Sequence, residues 1–129
     1  MSLRKLGDPD DSDFLVEEIE EVRKDLKKIK VTNFEKGYER FKKVLPQMYV
    51  EKEYWNTHRI YSVAGLKCNC EAYIAKKLRV DGMKGDNHFR IVFRVVEKNI
   101  TIIEVYHKGQ KDIEDKDRIC AVCSNQASI

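Results

Sequence analysis

The stretch His88-Phe-Arg-Ile-Val-Phe-Arg-Val-Val96, followed after Glu97-Lys98-Asn99 by Ile100-Thr-Ile-Ile-Glu-Val-Tyr106, decides the fold class. Both runs are rich in β-branched and aromatic residues and flank a short polar loop, which predicts an antiparallel hairpin. Side chains alternate across a strand. Phe89, Ile91, Phe93 and Val95 therefore point one way, and His88, Arg90, Val92 and Arg94 the other. A three-residue loop at 97–99 sets Phe93 opposite Ile103, Ile91 opposite Val105, Arg90 opposite Tyr106 and Val92 opposite Glu104. A slip of one residue would set Phe93 against Glu104 and mix the two faces, so this register is preferred. The apolar set must rest on a core. Arg90, Arg94, Glu104 and Tyr106 are then expected on one open sheet face, with His88 at its edge.

Upstream, 58–64 reads as a first strand ended by Gly65, and 72–80 as a strand or a short helix. Turn residues fill 81–87. On the second of these segments Lys77 and Arg79 share a face with Tyr73. Further upstream the period is helical. Leu15, Ile19, Val22, Leu26 and Ile29 recur at steps of four and three, after a cap at Ser12 or Asp13. Thr32 and Glu35 have capping-box spacing, Phe34, Tyr38, Phe41 and Leu45 form a second apolar stripe, and Pro46 is expected to end that helix. The fold class predicted is α+β, an N-terminal helix pair packed on an antiparallel sheet of three to four strands. Residues 1–12 read as a flexible N-terminus and 13–129 as a single domain, with helices in 13–47, sheet in 57–108 and a charged tail in 109–129.

With 129 residues, 42% hydrophobic and 36% charged, the chain can build one core under a heavily charged surface. No apolar run approaches the roughly 20 residues of a membrane span, and the first residues lack a secretory h-region, so cytoplasm is the default. Net charge is only +3, but it is unevenly spread. Residues 1–30 hold seven basic against nine acidic side chains, whereas 58–94 hold eight against three, a balance of +5. A basic block within the sheet half suggests an anionic partner.

Arginines and lysines beside tyrosine and histidine suit RNA, since cations hold phosphates and rings stack on splayed bases. Strand cleavage by the 2′-hydroxyl needs a base, an acid for the leaving 5′-oxygen and cations for the phosphate. Glu104, Tyr106 and His107 are the proton-transfer candidates, with Arg90 and Arg94 for charge. Lys76, Lys77, Arg79, Lys84, His88 and Lys108 are the RNA-binding candidates. The plainer alternative makes Arg94 and Glu104 ordinary cross-strand partners and each histidine structural, with His58 and His88 opening strands.

The run from His88 to Arg118, with its Phe-Arg-Ile-Val-Phe-Arg-Val strand, its Ile-Ile-Glu-Val-Tyr-His-Lys strand and its Lys-Asp-Ile-Glu-Asp-Lys-Asp-Arg tail, resembles the RelE/ParE superfamily of toxin–antitoxin toxins. It covers about a quarter of the chain. The resemblance implies a small toxin, neutralised by a wrapping antitoxin, and RelE-like members cleave mRNA in the ribosomal A site. It matches Arg90 to the family's sheet arginine, Lys77 and Arg79 to basic residues of the preceding strand, and His107-Lys108 to a terminal basic position. Gly109 departs from an expected basic residue, no C-terminal catalytic tyrosine follows, and the region before residue 58 is long. ParE-like members poison gyrase instead, and a non-enzymatic toxin or binding module is the alternative reading. No cofactor is expected, nor a membrane partner. The expected partners are an antitoxin, mRNA and the ribosome, with homodimerisation left open.

Cys68-Asn-Cys70 and Cys120-Ala-Val-Cys123 stand about fifty residues apart. Four thiolates could hold zinc, but in a cytosolic chain free thiols are the expectation, with redox pairing as the remaining alternative.

Overall fold

The computed structural model describes residues 13–31, 34–80, 88–108, 110–111 and 113–127, with backbone alone over 125–127. The order of elements is β1 (Leu15–Glu18), α1 (Glu21–Lys28), α2 (Phe34–Val50), α3 (Lys52–Asn56), β2 (Ile60–Ser62), β3 (Tyr73–Leu78), β4 (Phe89–Val96), β5 (Asn99–His107) and α4 (Lys116–Ala127). The fold is α+β. Its sheet has five strands in the order β1-β5-β4-β3-β2, antiparallel except for β1, which runs parallel to β5. The sheet is therefore larger than three or four strands, and mixed.

The extra strand comes from the segment expected to begin the first helix. Leu15–Glu18 forms β1, and the helix starts only at Glu21. The apolar spacing fits either reading here, and the unpaired edge of β5 decides between them. Backbone bonds from Leu15 N to Lys98 O (2.9 Å) and Ile19 N to Ile102 O (3.0 Å) tie the segment to that edge. Leu15 is then exposed while Phe14 and Val16 pack against the core, the period-two pattern of a strand. The expected capping residue Thr32 and the turn at 81–87 lie outside the described residues.

Pro46 does not end α2. It sits buried inside a helix that continues to Val50. A proline removes one backbone donor and crowds the preceding turn. Here Leu45 and Met48, buried on either side of it, hold the helix to the core. Gly37 lets α2 come down on Val80, whose Cγ1 lies 2.0 Å from where a Cβ would stand. The short α3 then delays the sheet to Ile60, and His58 lies in a turn at φ 57° instead of opening a strand.

The β4–β5 hairpin keeps the expected pairs Arg90 with Tyr106, Ile91 with Val105 and Val92 with Glu104. Its loop, however, has two residues, with Glu97 at φ 56° and Val96 paired to Asn99. A β-bulge absorbs the difference, so that Phe93 pairs with Ile102 and Ile103 is the extra residue. Ile102 consequently packs under the helices while Ile103 faces the other way.

Both faces of the sheet are covered. On one, α1 and α2 bring Val22, Leu26, Phe34, Tyr38 and Leu45 onto Phe89, Ile91 and Phe93. On the other, the expected charged tail forms α4, which lays Ile119 and Cys123 over Ala72, Ile74, Val92, Ile103 and Tyr106. The face expected to be open is thus partly roofed. Ile119, Val122 and Cys123 fall at helical spacing, which is all the apolar signal this short element carries.

The cysteines are not free. Cys68 bonds Cys120 and Cys70 bonds Cys123, with Cα separations of 5.8 and 6.1 Å. Spacing along the sequence could not reveal this pairing, because the fold brings together residues 52 and 53 positions apart. Among the described residues no helix is long and apolar enough to cross a membrane. None of their His, Cys, Asp or Glu groups is arranged to hold a metal ion.

Candidate anion-binding cavity

Between Ala75 and Leu78 the register of β3 against β4 shifts, with three steps on β3 against two on β4. The extra residue forces Lys77 to φ 61°, a left-handed conformation that costs a non-glycine residue about 1 kcal/mol or more. In a regular strand Lys76 and Lys77 would point to opposite faces. The bulge turns both into one cavity of about 210 Å³, with Arg90, His88 and Lys108 completing its lining. Lys108 N donates to His88 O at 3.0 Å, which joins the chain just before β4 to the chain just after β5.

Four cations and a histidine therefore converge where, among the described residues, no carboxylate lines the wall. The cost of this shows at Lys76. Burial, then repulsion from Lys77, Arg90 and Lys108, holds its ammonium below the ordinary lysine range. The Lys76 ammonium also lies 5.0 Å from the centre of the Tyr61 ring, a cation–π contact. Burial opposes the charge of Arg90, but its hydrogen bond to Tyr106 (Nη1 to Oη, 3.2 Å) and neighbouring charges outweigh that and raise its pKa. Tyr106 is buried, and burial keeps its hydroxyl protonated above the usual range against the pull of Arg90. A small oxyanion entering this cavity would relieve the repulsion among the cations and gain charge-assisted hydrogen bonds.

Of the sequence-expected residues, Lys76, Lys77, His88, Arg90 and Lys108 come together here. Tyr106 touches the group through Arg90. Arg79 lies beyond the end of β3 and does not line the cavity. Arg94 is at the far end of β4, in a separate cleft with Cys70, Glu71 and Cys123. Lys84 falls outside the described residues. Glu104 is not on an open face. Its side chain is 3% exposed, ion-paired to Lys111, and accepts a hydrogen bond from Asp115 N at 2.7 Å. In the strand register Arg94 stands opposite Thr101 and Glu104 opposite Val92.

His107 and Glu104 line a different cavity, of about 360 Å³, between α1, β5 and the approach to α4. His107 Nε2 is buried there without a hydrogen-bond partner among the described residues. Sequence reasoning missed the residues that build this side. β1 pairs only with 99–102, so β5 continues past it with an uncovered edge. Asp25 and Arg118 take the place of a strand. Asp25 accepts from Val105 N (3.1 Å) and from Arg118 (2.7 and 3.2 Å), and Arg118 donates to Ile103 O (3.1 Å). Burial works against the Arg118 charge, but the hydrogen bond to Asp25 raises its pKa. The sequence held one hint, since Asp25 interrupts the apolar stripe Val22, Leu26, Ile29, and buried carboxylates are rare unless paired.

The chain matches no protein-family model. Neither a curated protein nor a solved structure matches it.

Proposed function

We propose that this chain is a RelE-like toxin that grips RNA phosphates in the basic cavity and cleaves mRNA on the ribosome. The observation that carries the reading is the convergence of Lys76, Lys77, His88, Arg90 and Lys108 at a β-bulge. It is supported by the likeness of the β4–β5 hairpin to the RelE/ParE superfamily and by the helix pair packed against the sheet. Arg90, held at the cavity by Tyr106, neutralises the phosphate as the 2′-oxygen attacks. His88 and Lys76 line this cavity, and in this reading they make the proton transfers, one taking the hydroxyl proton and the other supplying one to the leaving 5′-oxygen. Lys76, with its lowered pKa, holds its proton less tightly than an ordinary lysine does. The reading carries with it a cytoplasmic location, a cognate antitoxin and a ribosomal partner, with self-association to a homodimer left to measurement.

One observation favours a second reading, a non-enzymatic relative of ParE type or an inactive toxin. Glu104, the only carboxylate expected to transfer protons, is buried and occupied by Lys111 and Asp115. Induction in bacteria separates the two. Growth arrest with discrete mRNA cuts, both lost in Arg90→Ala, is expected. Growth arrest without cuts supports the binding module, and unimpaired growth with no RNA affinity overturns both.

Affinity for a single-stranded RNA oligonucleotide should fall linearly with salt on logarithmic axes, with a slope of roughly −0.7 per neutralised phosphate. Lys77→Ala should flatten that slope by about 0.7. Because Lys76 sits below the usual lysine range, wild-type affinity should decline on raising pH before an ordinary lysine would discharge. Lys76→Arg should move that decline to higher pH.

A further inference from the structure

We propose that the paired cysteines form a thiol-exchange site, at which a dithiol partner unlocks α4 and opens the sheet face beside the basic cavity. Its effect on RNA rests on the function proposed above, whereas the exchange itself does not. Helix α4 is held to the sheet in two different ways. Near its start, Arg118 bonds to Asp25 and Ile103 O, and Asp115 N to Glu104. Beyond that, Ile119 and Cys123 are buried among its described residues, and Cys120 and Cys123 both tie it to the same irregular segment, Cys68–Cys70, between β2 and β3. Among the described side chains of this half, Val122 and Cys123 make the apolar contact, and the cross-links are its covalent fastening.

The Cys70–Cys123 bridge is also reachable. Its two residues line a surface cleft of about 220 Å³ together with Asn69, Glu71 and Arg94. Arg94 lines the cleft, and a cationic side chain there favours a thiolate, against the opposing charge of Glu71. A thiolate of the dithiol attacks Cys70 Sγ, the Cys70–Cys123 bond breaks, and Cys123 leaves as a thiolate that takes a proton. The second thiol of the partner then attacks the mixed disulfide and releases Cys70. The partner ends as a disulfide, two electrons having passed to the protein. A second equivalent does the same at Cys68–Cys120. Beneath the released helix lie Val92, Ile103 and Tyr106, and Tyr106 is the residue bonded to Arg90. Glu114, whose negative charge acts on Arg90, leads into α4 and would move with it. In a cytoplasm kept reduced by thiols, bridges of this kind are typically transient and regulatory.

The test uses the full chain, titrated with dithiothreitol. Thiol labelling should rise from none to four per chain. Amide exchange over 116–127 should accelerate at least tenfold while β4 and β5 stay protected, and affinity for single-stranded RNA should increase several-fold. The double variant Cys70→Ser with Cys123→Ser should show part of both changes without reductant. Four free thiols in protein isolated without reductant would overturn the proposal, as would unchanged exchange over 116–127. So would one zinc ion retained per reduced chain with α4 still protected. If exchange accelerates but RNA binds in neither redox state, the exchange site stands and the RNA reading fails.

Discussion

The two faces of the sheet are sealed by different physics. Beneath α1 and α2 the seal is apolar and aromatic. Phe34 and Phe41 meet Phe89 edge-on at 4.8 and 5.5 Å, and Tyr38, Leu45, Ile91 and Phe93 are fully buried. Beneath α4 the described residues of the helix contribute Ile119 and Cys123, buried, and Val122, partly buried, and the attachment is completed by two disulfides and the Arg118–Asp25 ion pair. Non-directional packing gives stability in proportion to area. Cross-links and ion pairs depend instead on solution conditions, on redox state and pH. The basic cavity lies on this second face, so its surroundings can be altered without dismantling the core.

The largest expected effect falls on the cross-linked face. A bridge closing a loop of 52 residues restricts the unfolded chain by about 4 kcal/mol, and a second bridge beside it, closing only a small ring, adds less. Replacing all four cysteines by serine should therefore cost more than about 4 kcal/mol, and replacing either pair less than half of the total. Denaturant titration of the three variants would show it. Equal and additive losses would mean that the bridges act through local contacts rather than through shared loop closure.

Next comes the packed face. Phe89→Ala should cost about 3–5 kcal/mol, because the ring is fully buried between two others and the backbone of a central strand cannot collapse into the void. Ile119→Ala should act differently, loosening α4 locally with little change in the global midpoint. Hydrogen exchange over 116–127 read beside a denaturation curve distinguishes the two. A global loss from Ile119→Ala as large as that from Phe89→Ala would erase the contrast between the faces. Between them in kind is Asp25→Ala, which strands Arg118 and the amide of Val105 together and should cost roughly 3 kcal/mol.

This contrast also explains what the sequence could reveal. The β4–β5 hairpin was legible because one face of β4, Phe89, Ile91, Phe93 and Val95, is wholly apolar. That sufficed for the pairs from Arg90–Tyr106 to Val92–Glu104 but not for the bulge that moves Phe93 from Ile103 to Ile102. Helix α2 was legible for the same reason, though not its continuation through Pro46, which depends on the burial of Leu45 and Met48. The second face was not. Val92, Ile103 and Tyr106 sit among arginines and glutamate in the sequence, and their burial depends on a helix with a thin apolar stripe. Of the cavity, the residue types were visible, and all five of its lining residues, three lysines, an arginine and a histidine, were among the candidates named from the sequence. The bulge that gathers Lys76 with Lys77 leaves no mark in composition, and Glu104 looked available because the roof above it was not foreseen.

The smallest effect belongs to the edge strand, and it tests whether even the packed side has a condition-dependent fastening. Glu18 on β1 accepts hydrogen bonds from Tyr38 on α2 and from Arg23 on α1 (2.7 and 3.0 Å), with Lys42 at 3.4 Å. Burial pushes the Glu18 pKa up, but these hydrogen bonds and charges together bring it below the ordinary 4.5. A carboxyl depressed in the folded state binds its proton more readily when unfolded. Its contribution is therefore complete above pH 4.5 and lost as pH falls through the lower folded value. Arg23 is largely solvated, which keeps the contribution modest. Glu18→Gln should lower stability slightly at neutral pH and flatten the acid limb of a stability profile, leaving the profile above pH 5 parallel to wild type. If the acid limb is unchanged, β1 is held by its backbone bonds to β5 and the packing of Val16, and the face beneath α1 and α2 gains no pH sensitivity from Glu18.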